Sequence, residues 1–583
     1  MPKYTTRQSQ ETFACNDSNF IFKGGEGSIY GIGDTICKIC DAGHMIPEAK
    51  FKELAALDHP RIIRPEDILL NSKKKAVGYT MRRVPGNAIP LAQMLTKTYR
   101  EREGVTPDQM MELVAQIAEG LRFIHSHDGY LQVDGNELNY MVTNKHEDVF
   151  FIDVNSFQTP SFPADAIMAS IRDYTVQPNA AGVWQWSQLS DWYSFAIISW
   201  FMFTAIHPFK GMNPNFPDKK TYMVDQMRAN CSVLNPETKY PKGAVYQPFE
   251  DYIPGGKDGA YMQWYRATFI DGKRLPAPGS FQATLTFVVK VKEIVGSDNF
   301  IMVLLKEFDT PVVGCYTQNK GASHGKLVVA TSDHFHLGAK KFPRPDGKVR
   351  IGFTPKEEVV CAQLRDGDVT VKNLEYGEVL YQGKARDIMS CDGRIYLQGE
   401  SSILEMDFLE TGKTIVTTKE VASIMPNATQ LFQGVAIQNM FGRIVSSVFP
   451  EPGHHRQFPL LELDGYRVTE AKYENHVLMV LAVNKKSGEY SRFVLRFSKN
   501  WENYDCRVIE NVNPAGLNFT VSNKGVCVCL TEEEKVELFS NEMGSSSVKS
   551  VDDPSVVGDM HLCHSGDEIR FALGQKLYKF SMK

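Results

Sequence analysis

The sequence predicts a chain of two unlike parts: an α+β domain over residues 18–280, behind an N-terminal extension at 1–17, and an all-β domain over 281–583. Three observations carry this. At 583 residues the chain exceeds what one hydrophobic core organises. Up to residue 280, helix-period apolar runs alternate with short strand-like runs. Beyond it the helical period vanishes, and short alternating strands follow one another between Gly, Asp and Asn turns. ATLTFVVKVKEI (283–294), GRIYLQG (393–399), HVLMVLAV (476–483), GVCVCL (525–530) and LYKFSM (577–582) are examples.

In the first part, Phe20, Ile21 and Phe22, then Ile29 and Tyr30, flank a glycine-rich turn as strand, turn and strand. Gly24, Gly25 and Gly27 carry no side-chain bulk, so backbone N–H groups there can approach phosphate oxygens. Asp34-Thr35 then turns the chain into Ile36-Cys37-Lys38-Ile39, an apolar strand with one lysine. A lone cation in such a strand is costly unless it meets an anion, and the phosphates of ATP are the natural partner. Residues 47–58 read as a helix opened by Pro47 and closed by His59-Pro60, with Phe51, Leu54, Ala55 and Leu57 inward. A protein kinase holds its strand lysine with a Glu on such a helix, and by that resemblance Glu48 and Glu53 are the candidates to hold Lys38. Glu48, which shares a face with Phe51 and Ala55, is preferred.

Further on, Asp134 precedes Asn139 by five residues, and Asp153 follows the apolar run Phe150-Phe151-Ile152. This spacing resembles the one protein kinases use to place a base beside an incoming hydroxyl and two oxygen ligands around Mg²⁺. Phosphoryl transfer asks a protein mainly for position and electrostatics. Trp192 to Ile206 is nearly devoid of polar groups but spans fifteen residues, short of the roughly twenty that cross a bilayer. It reads as a buried central helix, bracketed by Asp191 and His207.

In the second part, turn-then-strand units recur near Asn299, Gly347, Gly393, Gly434, His476, Gly525 and Gly566. A recurrence of about 40–50 residues with several short strands per unit predicts a β-propeller, here of seven blades. A pair of β-sandwiches is the alternative. Residues 274–283, with two prolines and a glycine, read as the linker.

Taken in order, GGEGSIY (24–30), ICKI (36–39), GYTMRRVPG (78–86), IAEGLRFIHSHDGYLQVDGNELNYMV (117–142), FFIDVNSFQ (150–158), DWYSFA (191–196) and GKRLPAP (272–278) resemble a protein kinase domain. The kind resembled is the short, eukaryotic-like Ser/Thr kinase of bacteria and their phages. The resemblance implies a bilobal fold, with an N-lobe over 18–85 and a C-lobe over 86–280. It implies that Gly24, Gly25 and Gly27 cover the ATP phosphates, that Lys38 pairs with them, and that Ile29 belongs to the nucleotide site. Met81 to Val84 would form the adenine hinge, Asp134 the catalytic-loop base, and Asn139 and Asp153 the Mg²⁺ ligands. Asp191 would fix the catalytic loop.

The sequence departs from that pattern in four places. Phe22 stands where the first glycine is usual, Gln132-Val133 where His-Arg is usual, and Val154-Asn155 where Phe-Gly is usual. TVQPNAAGVWQW (175–186) replaces the Ala-Pro-Glu segment. Without that arginine, activity is expected not to depend on loop phosphorylation.

Composition narrows the partners. A net charge of −5, a pI near 6.3 and the lack of long like-charge runs argue against nucleic acid. The eleven cysteines are scattered; Cys37-x-x-Cys40 has no second pair, so zinc is not expected, and free thiols point to a reducing compartment. Cys527 and Cys529, and His454-His455, read as ordinary strand residues. The first residues lack an apolar run, so neither a signal peptide nor a membrane partner is expected, and the location is read as cytoplasmic. The expected function is ATP- and Mg²⁺-dependent transfer of the γ-phosphoryl group to Ser or Thr of a protein substrate docked by the C-terminal domain. A pseudokinase scaffold and a small-molecule kinase are the alternatives.

Overall fold

The computed structural model describes residues 2–218, 220–240, 249–279, 296–317, 326–411 and 413–583. Its first layer is a sheet of seven strands: β1 (Lys3–Thr6), β2 (Thr12–Ala14), β3 (Phe20–Lys23), β4 (Gly27–Ile32), β5 (Thr35–Cys40), β6 (Pro65–Leu70) and β7 (Ala76–Arg82). Their order is β2-β1-β6-β7-β5-β4-β3. Within 2–17, read from sequence as an extension, β1 and β2 form one edge of this sheet. β1 pairs antiparallel with β6, and Tyr4, Phe13 and Cys15 pack on Cys37 and Leu69.

Helix α1 (Glu48–Leu54) is shorter than the 47–58 expected, and buries Lys50, Phe51 and Leu54 while Ala55 is exposed. A second layer holds a three-stranded sheet of β8 (Ile89–Pro90), β9 (Tyr140–Val142) and β10 (Val149–Phe151). Around it lie α2 (Leu91–Met94), α3 (Lys97–Glu103), α4 (Pro107–His125), α5 (Gln188–Thr204), α6 (Tyr222–Ala229) and α7 (Ala260–Phe269). Thr106 and Gln109 form a capping box that starts α4, with Pro107 at its first turn. α4 lies so close to β10 that a Cβ on Gly120 would sit 2.4 Å from the Phe151 ring. α5 is buried from Ser190 to Thr204, as its all-round apolar sequence requires. Among the described residues no helix is long and apolar enough to cross a membrane.

Among the described residues the C-terminal part holds seven four-stranded antiparallel sheets. Six are continuous in sequence, within 312–343, 348–384, 387–423, 429–459, 466–512 and 518–552. The seventh joins three strands from 561–582 to an outer strand from Phe300–Glu307, so the two ends of this part are hydrogen-bonded together. Adjacent sheets share buried apolar clusters. Phe308, Val312 and Val329 pack on Cys563, Ala572 and Leu577, which brings the last sheet against the first and closes the circuit.

Gly393, Gly434, His476, Gly525 and Gly566 each mark the hairpin between the first two strands of sheets three to seven. All five have positive φ, which explains why glycine recurs there. Gly347 and Asn299 instead precede strands. The segment 283–294 and residues 280–283 of the linker lie outside the described residues.

The two parts are not separate packing units. One buried cluster runs from α4 and α5 into Val477, Met479, Leu481, Val483, Tyr490 and Phe519 of the ring of sheets. Backbone bonds also cross, from Thr98 N to Ala515 O (3.3 Å), Ala169 N to Lys486 O (3.4 Å) and Ser170 N to Ser487 O (3.1 Å). On α3, Arg102 Nη1 lies 2.7 Å from Oε1 of the fully buried Glu470, and its Nε lies 2.8 Å from Glu103. Burial opposes ionisation of Glu103, but Lys348, Arg102 and Arg350 outweigh it and hold its pKa far below the usual carboxylate range.

Arg102→Ala strands a buried carboxylate and is expected to cost about 3–5 kcal/mol of unfolding free energy in chemical denaturation. Arg102→Ala/Glu470→Ala should recover part of that loss. A depressed folded pKa makes Glu103 stabilising above its unfolded value of 4.5, with the contribution lost as pH falls below it. The denaturation midpoint should therefore drop on acidification below that value, and drop less in Glu103→Gln.

Candidate active site

A cavity of about 1280 Å³ opens among the seven-stranded sheet, the helical layer and the ring of sheets. Gly24, Gly25, Gly27, Ile29, Lys38, Met81, Val84, Asp134, Asn139 and Asp153 all line it. These residues come from five stretches of chain, and antiparallel register brings the roof together. Lys38 on β5 stands opposite Ile29 on β4 and Tyr79 on β7. The backbones approach so closely that a Cβ on Gly78 would lie 2.0 Å from Lys38 O, and one on Gly27 would lie 2.2 Å from Ile39 O.

Lys38 is 7% exposed. Its Nζ lies 2.8 Å from Glu26 Oε2, 3.2 Å from Asn155 Oδ1 and 3.6 Å from Asp153 Oδ1. Burial works against its charge, but Tyr79, Asp153 and Glu26 together prevail and raise its pKa. Glu26 also accepts from Asn155 Nδ2 at 3.2 Å, and Tyr79 Oη donates to Asn155 Oδ1 at 2.8 Å.

The partner of Lys38 is thus neither glutamate of α1. Glu48 is half exposed and pairs with Arg7 (2.8 Å) and Lys52 (3.6 Å). Glu53 Oε2 accepts from Ser161 N at 3.2 Å. The reason is rotational: with α1 beginning at Glu48, its inward face carries Lys50, Phe51 and Leu54, and both glutamates turn away. Burial lowers the pKa of Lys50, with Asp165, Glu26 and Asp153 partly restoring it.

On the floor, Asp134 Oδ1 accepts from Met168 N at 2.9 Å. Asn139 Nδ2 donates to Asp134 O at 2.8 Å and lies 3.4 Å from Oδ2. Burial raises the Asp134 pKa, and the bonds from Met168, Asn136 and Asn139 partly oppose this. Asp153 is pushed up to about 6, chiefly by burial; Lys38 opposes the rise while Glu26 and Asp134 add to it. Asp153 and Asn139 line the same cavity, and a carboxylate with an amide oxygen is a donor set for a hard cation that also takes water and phosphate oxygens. Among the described residues no group of three His, Cys, Asp or Glu side chains could hold a metal alone.

The loop carrying Asp134 is held from behind. Asp191 on α5, 3% exposed, accepts from Gln132 N (2.9 Å), Val133 N (2.8 Å) and His125 Nε2 (2.9 Å). Val133 has φ of 63°, a left-handed conformation that costs a β-branched residue energy and persists only when its neighbours impose it.

Two members of the site escape a sequence reading. Glu26 sits inside the glycine turn, and an acid in GGEG was the available signal. Asn155 looked only like a substituted glycine.

Asp191→Ala removes the acceptor of two buried backbone N–H groups, each worth about 1–3 kcal/mol when left unpaired, and of His125 Nε2. Calorimetry should show a lower Tm, and amide exchange should become faster at Gln132 and Val133 first.

No family model matches the chain. A stretch of 72 residues is 35% identical to a probable phosphoglucosamine mutase of Methanopyrus kandleri, covering 12% of this chain and 15% of that protein. That overlap is too short to show a family.

Proposed function

We propose that the chain is an ATP- and Mg²⁺-dependent protein kinase acting on Ser or Thr, a bilobal kinase-like domain joined to a seven-bladed β-propeller. The observation that carries the reading is the convergence of Lys38, Asp134, Asn139 and Asp153 on one cleft beneath a glycine turn. In this reading the Gly24–Gly27 turn and Lys38 hold the ATP phosphates, and Glu26 leaves Lys38 when they arrive. Met81 and Val84 flank the base. Asn139 and Asp153 would hold Mg²⁺, which when bound neutralises charge on the β- and γ-phosphate oxygens. Met168 N orients Asp134 through Oδ1, so Oδ2 faces the acceptor hydroxyl and takes its proton. The acceptor oxygen then bonds to the γ-phosphorus as the bond to ADP breaks. The propeller docks the protein substrate, and the reading assigns no step to nucleic acid.

One observation favours a second reading, a scaffold without transfer activity: the Lys38 ammonium is already met by Glu26, Asn155 and Asp153. Nucleotide must compete with that internal carboxylate.

Phosphate incorporation from labelled ATP separates the two. The kinase reading expects wild-type transfer that falls by about a hundredfold or more in Lys38→Ala and Asp153→Ala. It also expects ATP with Mg²⁺ at about 100 times Kd to add about 2.7 kcal/mol of stability. Equal silence of all three proteins, with no shift in Tm, would establish the scaffold.

A further inference from the structure

One stretch of the ring of sheets reaches the mouth of the cleft. Residues 485–489 connect strands Val477–Asn484 and Tyr490–Phe497. This connection touches roof and floor together. Lys485 Nζ lies 5.2 Å from the centre of the Phe22 ring, beside the glycine turn. On the floor, the carbonyls of Lys486 and Ser487 accept from Ala169 N and Ser170 N, directly after the Met168 N–H that orients Asp134. A Cβ on Gly488 would lie 1.9 Å from Ser170 Oγ, so only glycine lets the connection come so close.

A second cation joins Lys485. The Arg467 guanidinium lies 4.8 Å from the same Phe22 ring, and both cations line the cleft with Gly24, Asp134 and Met168. Three other cations at this boundary are matched with carboxylates: Arg102 with Glu470, Lys97 with Asp559 and Lys145 with Asp366. Among the described residues, Arg467 and Lys485 have neither a carboxylate within ion-pair distance nor a side-chain hydrogen bond. Burial lowers the pKa of Arg467. It lowers that of Lys485 too; Arg467 adds to the shift and Asp464 opposes it. Contact with an aromatic face compensates such charges only in part.

Arg467 is half-buried and Lys485 exposed, and two such cations on one ring at the mouth of a cleft attract an anion. The nucleotide phosphates have Lys38 and the glycine turn. Lys485 instead is rooted in a connection bonded to residues 169 and 170, on the Asp134 side of the cleft. Resting on the kinase reading above, we propose that Arg467 and Lys485 form an acceptor subsite that selects Ser or Thr residues flanked in sequence by acidic residues. The specificity of the kinase-like half would then be supplied by side chains of the ring.

The test measures kcat/KM on short Ser/Thr peptides carrying Asp or Glu, Ala, or Lys at each flanking position, using the full-length protein. Wild type should prefer acidic over neutral neighbours by about tenfold or more at one or two positions, and the preference should shrink with salt. Arg467→Gln/Lys485→Gln should flatten it through KM for the peptide, leaving KM for ATP at the wild-type value. Arg467→Lys/Lys485→Arg should restore it, which a purely structural role on Phe22 would not require. A preference for neutral or basic neighbours, or an acidic preference that survives the double Gln variant, overturns the subsite. So does a wild type that binds ATP in a Lys38-dependent way yet phosphorylates no peptide. Loss of ATP binding in wild type would instead bring down the kinase reading itself.

Discussion

A buried ammonium group organises this molecule's cleft. Lys38 stands in the middle of a sheet, almost dry, and a charge there persists only in the company of oxygens. Glu26, Asn155 and Asp153 supply them from the roof turn and the floor. The bare backbone at Gly27 and Gly78 belongs to the same arrangement, since strands β4, β5 and β7 close around Lys38 too tightly for side chains. On the proposed reading, function consists of exchanging one anion for another at that ammonium. Glu26 holds the position within the protein alone, and a phosphate takes it over.

The second constraint is the shared core. Because α4 and α5 continue into Val477, Met479 and Tyr490, the ring of sheets is a wall of the cleft as well as a neighbour of it. The buried Arg102–Glu470 pair and the backbone bonds at residues 98, 169 and 170 fix that wall in register. Glu137, in the loop after Asp134, adds to this contact: burial raises its pKa to about 7, and Tyr490 Oη donates to its carboxylate at 3.1 Å. A change in the ring can thus be felt at the floor of the cleft without a long path between them.

Much of the cleft was legible because its parts follow local rules. A glycine turn between apolar runs, a lysine alternating into a strand, and the Asp134, Asn139 and Asp153 spacing all depend on near neighbours. So did the recurring hairpins, whose positive-φ residues betray themselves as glycines at Gly393, Gly434, Gly525 and Gly566. What could not be read depends on rotation or on distance. One helical residue turns a side chain by a large angle, so the start of α1 at Glu48 was enough to send Glu48 and Glu53 outward and Lys50 inward. The pairing of β1 with β6 links Thr5 to Leu70. Arg467 and Lys485 meet Phe22 across more than four hundred residues of chain, where no pattern in the sequence points.

The most direct examination of the central claim is a crystal structure with a non-hydrolysable ATP analogue and Mg²⁺. The account predicts phosphate oxygens within hydrogen-bond reach of Lys38 Nζ and the Glu26 carboxylate displaced from it, with the metal between Asn139 and Asp153. A nucleotide bound elsewhere, or a cleft in which Glu26 still holds Lys38 at saturating nucleotide, would contradict it.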